Sequence, residues 1–310
     1  MNRFAFIFCV IILFTSCDKE SHSVGIEGIS FENYPKVDGS TSSRALNQMV
    51  ACKLLGISYE WTKWFSEEWY LNPKNIPKEY EDFLWERIKT SQTHGAFMNL
   101  IDRNADIILT QRTISPDEKA HADAVGITLI ETSIASDAFV FVVHPNNPVK
   151  SLTINEIQKI YTKEIINWSE VGGNNASMQV YSRPRNSGSE EVFRTLVMNG
   201  LNPADFPEAM QLNPMYGVFI TMLTDEHGIC YTFNNYAEII TRIPEVPKIA
   251  INGIIPANNT VKNKMYPFIS EVHVAIRSDL DHNSMAYKLY EWLQSESAKS
   301  TIIECGFIPK

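Results

Sequence analysis

The sequence predicts an α/β fold built from mixed, mostly parallel sheets that are flanked by helices. Its composition, with 44% hydrophobic and 20% charged residues in a chain of 310, is that of a globular protein. Short runs rich in β-forming residues alternate with segments that carry helix-capping signals, which is typical of βαβ units. The runs are 105–110, 126–132, 137–143, 178–182, 228–233, 248–251 and 271–277. The length suits either one large domain or two lobes.

The chain begins with the features of an export signal. Arg3 precedes an apolar run at 4–14 that is too short to span a bilayer, and Cys17 follows after two small polar residues. This ending resembles a bacterial lipoprotein signal. We therefore expect a signal peptide at 1–16, lipid attachment at Cys17, a tether at 17–25 and a location in the cell envelope, anchored to the membrane. The alternative is an ordinary secretory signal in which Cys17 is incidental.

Three helices are predicted from their own start and stop signals. Residues 43–55 carry apolar side chains at helical spacing and are followed by Gly56. Residues 115–118 read Ser-Pro-Asp-Glu and residues 153–156 read Thr-Ile-Asn-Glu. Both are capping boxes, in which a hydroxyl and a glutamate bind the free N–H groups of a helix start. Strand-to-helix turns of this kind are where ligands gather in α/β sheets.

The segment 61–85 is rich in tryptophan. It contains Trp61, Trp64, Trp69 and Trp85 among glutamates, lysines and prolines. Core packing or a surface that faces a partner is more common for such residues than an aromatic ligand site. We therefore favour a structural or surface role for this segment.

The net charge is −9 at pH 7, and it argues against one class of partner. Proteins that bind nucleic acid present a basic face, so we expect no nucleic-acid partner. The overall field also opposes the approach of any anion. An anionic ligand would therefore have to be held by local chemistry.

The sequence shows no pattern of catalysis, metal binding or disulfide bonding. Once the leader is removed and Cys17 is lipidated, Cys52, Cys230 and Cys305 remain, and none has the spacing of a zinc or redox site. We expect them to be small core residues. The histidines are scattered, and neither a P-loop nor a nucleophile elbow is present. The prediction is a non-enzymatic protein without metal or cofactor.

Three strand-to-helix turns could hold an anion. They are residues 38–43, 110–113 and 182–189, and they are rich in hydroxyls, glycine and arginine. A helix start offers unpaired N–H groups and a partial positive charge, and arginine adds a planar fork that fits two oxyanion oxygens. Each turn alone is weak, because Ser187 with Glu190 is also an ordinary capping box and 40–43 is also an ordinary hydroxyl-rich cap.

The combined order of these features resembles the substrate-binding proteins of phosphate ABC transporters. The resemblance runs from about residue 34 to 309, with a divergent section at 56–88. Its motifs are Asn146-Asn147-Pro148-Val149, Leu152-Thr153, Ile160-Tyr161, Ile166-Asn167-Trp168, Val171-Gly172-Gly173, Arg183 with Ser187-Gly188-Ser189, Tyr266-Pro267 and Gly306-Phe307-Ile308-Pro309.

The resemblance implies a fold and a set of ligand groups. Two α/β lobes of the periplasmic-binding-protein type would close on an oxyanion in the cleft between them. Lobe I would comprise 26–135 and 266–310, and lobe II would comprise 136–265. The implied ligand residues are Thr41, Ser42, Thr93, Gln111, Arg183, Ser187, Gly188 and Ser189.

This chain departs from the family at two of these positions. Gln111 stands where the family usually has an aspartate that accepts the ligand's proton and so favours phosphate over sulfate. Its amide can donate or accept, so we expect weaker discrimination. Glu190 adds a negative charge beside Ser189, and we expect its side chain to point away from the ligand or to cap its own helix.

The leading hypothesis is a monomeric, lipid-anchored protein that captures inorganic phosphate, or a related oxyanion, and delivers it to an ABC transporter permease. A sensor or surface interaction protein on the same fold is the alternative. A phosphatase or phosphotransferase that uses the same anion site is a weaker one, because no nucleophile with a base is apparent.

Overall fold

The computed structural model describes residues 25–63 and 68–310. The predicted signal peptide, the lipidation site Cys17 and Trp64 lie outside the described residues, as does the predicted tether except for Gly25. The expectations for these parts stay predictions.

Strands and helices alternate along most of the described chain. The strands are β1 (Val37–Gly39), β2 (Ser58–Lys63), β3 (Trp69–Lys74), β4 (Ile107–Thr110), β5 (Leu129–Val143), β6 (Ser151–Leu152), β7 (Gln179–Val180), β8 (Gly228–Phe233), β9 (Ala250–Ile251), β10 (Ile269–Arg277) and β11 (Ile308–Pro309). The α-helices are α1 (Arg44–Leu54), α2 (Phe83–Arg87), α3 (Gln92–Ile101), α4 (Pro116–Ala124), α5 (Ile154–Tyr161), α6 (Gly188–Val192), α7 (Met215–Thr224), α8 (Asn258–Lys262), α9 (Met285–Leu293) and α10 (Glu296–Glu304). Phe193–Met198 and Tyr236–Thr241 form π-helical turns.

The three helices expected from capping signals are present as α1, α4 and α5. In α5 the capping is reciprocal, since the Thr153 N–H donates to Glu156 Oε2 at 2.7 Å and the Glu156 N–H donates to Thr153 Oγ1 at 3.1 Å. In α4 the Ser115 N–H donates to Glu118 Oε2 at 2.9 Å. These helices are fixed by local chemistry that the sequence displays.

One sheet runs through the middle of the molecule in the order β1-β4-β10-β5-β8-β7, with β11 also paired to β5. The outer pairs β1–β4 and β7–β8 are parallel, as the βαβ pattern predicts. The pairs β4–β10, β10–β5 and β5–β8 are antiparallel. The sheet is therefore mixed, with a larger antiparallel share than expected, because β5 and β10 cross the molecule against their neighbours.

The two runs 126–132 and 137–143, predicted as separate strands, form the single strand β5. Its first part pairs with β10 and its last part, Phe139 to Val143, pairs with β8. The polar residues Ser133, Ser136 and Asp137 interrupt the apolar pattern, but the backbone pairing continues through them. One strand thus links the two ends of the sheet.

The hydrophobic core has two main parts, one on each side of this link. One part is built around Phe139, Phe141 and Tyr231, and the other around Leu46 and Val274. Helices cover the sheet, with α7 on β8, α9 on β10 and α3 on β4. The predicted α/β class is confirmed. The predicted lobe limits stay a prediction.

Strands β2 and β3 form an antiparallel ribbon that the sequence did not predict. We call residues 58–63 and 69–74 the ribbon. Trp61 of the ribbon is half-buried and packs against both core parts, while Trp85, beyond the ribbon, is exposed. The described tryptophans of this segment, Trp61, Trp69 and Trp85, therefore lie in packing contacts or at the surface.

Several simpler expectations can be compared with the described part of the chain. Cys52, Cys230 and Cys305 are free thiols and buried, which confirms them as core residues. Within residues 25–63 and 68–310 there is no cluster of three or more His, Cys, Asp or Glu side chains suited to a metal ion. In the same ranges no helix combines the length and apolar character needed to cross a bilayer.

Candidate functional site

A small cavity of about 90 Å³ lies where the starts of several helices meet. It is far smaller than the roughly 300–1,000 Å³ of pockets for drug-sized ligands. The described residues that line it are Ser40, Thr41, Ser42, Glu68, Gln92, Thr93, Arg183, Ser187, Gly188, Ser189, Asn213, Pro214, Met215, Tyr216, Phe233 and Tyr236. Seven of the eight residues implied by the sequence are therefore brought together, and Gln111 is not among them.

The first side of the cavity is the turn between β1 and α1. Ser40 Oγ lies 3.0 Å from Ser42 Oγ and donates to Ser43 Oγ at 3.0 Å. Ser43 Oγ also donates to the carbonyl of Leu109 at 2.7 Å, which ties the turn to β4. The close approach requires Gly39, where an added Cβ would lie 2.6 Å from the same carbonyl oxygen. The turn thus presents Thr41 and Ser42 at a fixed position.

The second side is formed by the facing starts of α3 and α6. Thr93 is buried near the start of α3. A Cβ added at Gly188 would lie 2.4 Å from Thr93 Oγ1. The two helix starts can meet only because residue 188 has no side chain.

Arg183 is the cation of the cavity, and it is only 6% exposed. Its Nε donates to Ser189 Oγ at 3.2 Å, and its Nη1 donates to the carbonyls of Leu212 and Pro214, the latter at 2.9 Å. Within residues 25–63 and 68–310, Nη2 makes no hydrogen bond and the guanidinium forms no ion pair. Burial lowers the pKa of Arg183 from its ordinary value. An anion bound here would supply the missing counter-charge.

The start of α6 completes the anion-binding features. Ser187 is the N-cap, and its Oγ accepts from the Glu190 N–H at 3.2 Å. The N–H groups of Gly188 and Ser189 occupy the first helical positions, where no helical carbonyl is available to accept them. These groups and Arg183 therefore offer donors to one small space.

Glu190 does not line the cavity, as expected, although its partners differ from the predicted capping box. Its carboxylate accepts from the Tyr231 hydroxyl, from the Arg183 N–H at 3.4 Å and from Arg194 Nε at 2.7 Å. The carboxylate is nearly fully buried. It thus supports the backbone of Arg183 from behind, and it does not return to the N–H of Ser187.

Gln111 lies outside the cavity lining. Its Nε2 donates to Asp137 Oδ2 at 2.9 Å, and its Oε1 is buried without a hydrogen-bond partner. Burial raises the pKa of Asp137 to about 7, although hydrogen bonds from the Asn235 N–H and from Gln111 oppose the rise. A direct role of Gln111 in ligand binding stays a prediction.

Arg112, the arginine of the 110–113 turn, is engaged in contacts within the protein. Arg112 forms two hydrogen bonds of 2.7 Å with the buried carboxylate of Glu118, and its guanidinium lies over the ring of Phe97. Of the three candidate turns, those at 38–43 and 182–189 reach the cavity. No residue of the turn at 110–113 is among the described residues that line it.

Sequence reasoning missed several lining residues. Tyr236 is the third residue after the end of β8, so the rule that ligands gather after strands could have found it. Glu68 comes from the divergent segment and carries no sequence signal of its own. Tertiary structure alone brings it into the cavity, where its carboxylate accepts from the hydroxyl of Tyr236.

Comparisons with known proteins show the family. The family description "PBP superfamily domain" matches residues 35–297. Protein SphX of Synechococcus elongatus is 31% identical over 232 residues, which cover 72% of this chain and 68% of that protein. The phosphate-binding protein PstS of Bacillus subtilis is 26% identical over 195 residues, 62% of this chain and 61% of its own length. The chain thus spans less than two thirds of the Bacillus relative.

A solved structure shows the same fold. It is that of a putative phosphate ABC transporter substrate-binding protein from Clostridium perfringens with bound phosphate. The TM-score is 0.61 at 21% identity, and the match covers 91% of this chain and 99% of the other. The match confirms the predicted fold class, two lobes of mixed α/β structure.

Proposed function

Because this chain belongs to the PBP superfamily, we propose that it captures inorganic phosphate, or a similar tetrahedral oxyanion, as the binding protein of an ABC importer. The observation that carries the proposal is the buried guanidinium of Arg183, which has no ion-pair partner among the described residues and faces unpaired N–H groups. A buried cation without a counter-ion is costly unless a ligand supplies one. Relatives that are named for phosphate binding support the choice of ligand.

The proposed mechanism is binding and closure without bond chemistry. The Nη2 group of Arg183, which makes no hydrogen bond to the described residues, would donate to the anion, while the N–H groups of Gly188 and Ser189 would donate to its other oxygens. Hydroxyls of Thr41, Ser42 and Thr93 would bind from the opposite side. Since these groups come from the two parts of the core, the anion would favour the arrangement in which both parts contact it.

The cellular setting is part of the same proposal. We propose export, a lipid anchor at Cys17 and delivery of the ligand to a membrane permease. The family consists of binding proteins that act outside the cytoplasm, and the sequence of the first 17 residues supports an anchor. Labelled palmitate should be incorporated into the wild-type protein in cells and should not be incorporated into a Cys17→Ala variant.

Calorimetry on purified protein tests the ligand and the role of Arg183. Phosphate should bind the wild type and should bind Arg183→Ala more weakly by about 2 kcal/mol, roughly 30-fold, because the anion loses its fixed counter-charge. Arg185→Ala is the matched control, since Arg185 is an exposed neighbour in the same turn and does not line the cavity. Equal affinity of wild type and Arg183→Ala would remove Arg183 from the site.

The same preparation separates the alternatives. Phosphate, arsenate, sulfate and molybdate should be compared by thermal shift, because a true ligand stabilises the folded state by mass action. No response to any of them would favour a sensor or surface interaction protein. Release of phosphate from a simple phosphate monoester would indicate an enzyme.

A further inference from the structure

We propose that a second cavity, separate from the one around Arg183, binds an organic anion that has an apolar body. The second cavity has a volume of about 500 Å³, which lies in the range of sites for small organic ligands. No described residue lines both cavities. We call the second cavity the lysine groove, because Lys262, Lys264 and Lys310 line it. A ligand here would be additional to the one that Arg183 is proposed to bind.

The strands that link the two parts of the core help to form the lysine groove. Its lining comes from β5, β10 and β11, and from α8 with the segment that follows this helix. Val261 and Tyr266 are buried, with 4% and 1% of their surface exposed, so the core holds this lining in place. An apolar body in the groove would remove hydrocarbon surface from water. The residues that offer such surface are Val261, Tyr266, Pro267, Ile269, Ile308 and Pro309.

Lys262 and Lys264 supply the positive charge of the groove. Within residues 25–63 and 68–310 the side chain of neither residue forms a hydrogen bond or an ion pair. Lys310 donates to Glu271, which carries the one carboxylate among the described lining residues. Because this pair neutralises itself, the groove keeps the two charges of Lys262 and Lys264. Two ammonium groups without partners favour an anionic ligand.

The surrounding sequence adds to this positive charge. Residues 246–270 contain Lys248, Lys262 and Lys264 and no Asp or Glu, although the protein as a whole has a net charge of −9. An acidic protein repels anions at long range, but salt screens that field beyond about 8 Å at physiological ionic strength. An anion at the groove therefore meets mainly the nearby lysines.

The size and the lining of the groove together define the class of ligand. An inorganic anion would fill little of a cavity of about 500 Å³ and would leave the apolar lining in water. A neutral apolar molecule would give the ammonium groups no counter-charge, and a cation would be repelled by them. A carboxylate, sulfonate or phosphate group on an apolar body makes use of both parts of the lining.

Two fluorescent probes that share one apolar body test the proposal. Anilinonaphthalene sulfonate carries a negative charge, whereas phenylnaphthylamine has the same ring framework without the sulfonate. Both become brighter when they bind apolar surface, so their dissociation constants can be measured by titration at fixed ionic strength. The protein forms to compare are the wild type and the double variant Lys262→Gln/Lys264→Gln. Lys36→Gln/Lys89→Gln is the matched control, because it removes two exposed lysines that line neither cavity.

The wild type should bind the sulfonate probe more tightly than the neutral probe. Lys262→Gln/Lys264→Gln should weaken the sulfonate probe by roughly fivefold, because each exposed charge contact contributes modestly, and should leave the neutral probe unchanged. The control variant should keep both affinities. Ser136→Leu should weaken both probes, since Ser136 is a half-buried lining residue and the larger side chain would occupy part of the groove.

Three results would overturn the inference. The wild type could fail to bind the sulfonate probe, the Lys262→Gln/Lys264→Gln variant could bind it as tightly as the wild type, or saturating phosphate could displace it from the wild type. Displacement would place the probe in the cavity around Arg183. The unfolding temperature of each variant without ligand identifies a folding defect. A wild type that binds the sulfonate probe through these lysines but binds no phosphate removes only the proposed function.

Discussion

The contact between Gly188 and Thr93 shows how one missing side chain shapes the site. The two residues lie at the starts of helices from different parts of the chain, and an added Cβ at 188 would come within 2.4 Å of Thr93 Oγ1 and 3.3 Å of its Cβ. Real Cβ atoms do not approach an oxygen so closely, so either the Thr93 side chain would have to rotate or one helix start would have to move. Any such movement would separate the donors that face the cavity.

Gly188→Ala should therefore weaken phosphate binding by about tenfold or more, with little change in the unfolding temperature of the ligand-free protein. Gly217→Ala is the control, since an added Cβ there meets nothing within 4 Å. Calorimetry should also measure how much Gly188→Ala lowers the affinity for phosphate in the wild-type background and in the Thr93→Ala background. A smaller effect in Thr93→Ala is expected, because the overlapping oxygen is gone. Equal effects would show that the contact does not limit binding.

Asp137 is a second residue whose buried environment should affect a measurable quantity, the pH dependence of protein stability. Burial raises its pKa to about 7, well above the value of an unfolded chain. The folded protein thus holds a proton that the unfolded chain releases near pH 4. The stabilisation that the folded state gains from protonated Asp137 is complete below pH 4, and it is lost as the pH rises through about 7.

The free energy of unfolding of the wild type, relative to Asp137→Asn, should therefore fall between pH 4 and pH 7 by at most about 4 kcal/mol. Urea titrations at several pH values measure this difference, and the variant removes only this titration. A flat difference, or a rise with pH, would contradict the raised pKa. The buried and unpaired Oε1 of Gln111 provides an acceptor for the protonated form if the amide turns over.

At the level of single residues, the sequence predicted seven of the sixteen described residues that line the cavity. Ser187, Gly188 and Ser189 could be identified because a helix start is recognised from adjacent residues. Arg183 stood four residues before them in the order of a known motif. Glu68 and Tyr236 could not be identified in this way, because their place in the cavity depends on how distant elements pack. Gln111 was expected at the ligand and is not among the described residues that line the cavity, so its role in binding stays a prediction.

At the scale of elements, the ribbon connects parts of the molecule that are distant in sequence. Trp61 and Trp69 both lie against the guanidinium of Arg242, with 4.7 Å from its Cζ to each ring centroid. Arg242 ends the π-helical turn that begins at Tyr236, the residue that donates to Glu68. The ribbon is thus attached to this turn by two indoles, and Glu68, next to the ribbon, adds the contact of its carboxylate with Tyr236.

Arg242→Gln should loosen that attachment. Loss of two cation–π contacts at a partly exposed site should lower the free energy of unfolding by roughly 1 kcal/mol, and hydrogen exchange should become faster in 58–63 and 69–74 than elsewhere. Lys74→Gln is the control, because it removes an exposed ion pair on the same ribbon. Equal exchange in both variants would mean that the stacking does not hold the ribbon.

The strand β5 shows why element boundaries were harder to predict than element types. Residues 126–132 and 137–143 were predicted as two strands, and the stretch 133–136 between them was not predicted as a strand. Hydrogen bonds from β10 and β11 keep this stretch extended, and Asp137 accepts from the N–H groups of Ala138 and Asn235. Such long-range pairing overrides local preference and cannot be seen in one segment.

At the scale of the whole molecule, the charge of the protein opposes the charge of its proposed ligand. The net charge is −9, while the described lining of the cavity includes one arginine and one glutamate. The local charges nearly cancel, so the long-range field that an approaching anion meets is set by the rest of the surface. Affinity must then come from short contacts, which salt screens little because they are buried.

This imbalance predicts that phosphate associates faster as salt is added. The Debye length falls from about 30 Å at 0.01 M to about 8 Å at 0.15 M, so repulsion by the distant surface is screened. The association rate constant, followed by stopped-flow tryptophan fluorescence, should rise severalfold over this range of potassium chloride. Tetramethylammonium chloride should give the same rise if screening is the cause, and sucrose at matched osmolality should give none. An association rate that falls with salt would mean that a positive field at the cavity mouth dominates, and capture would then be steered by the surface rather than by contacts inside the cavity.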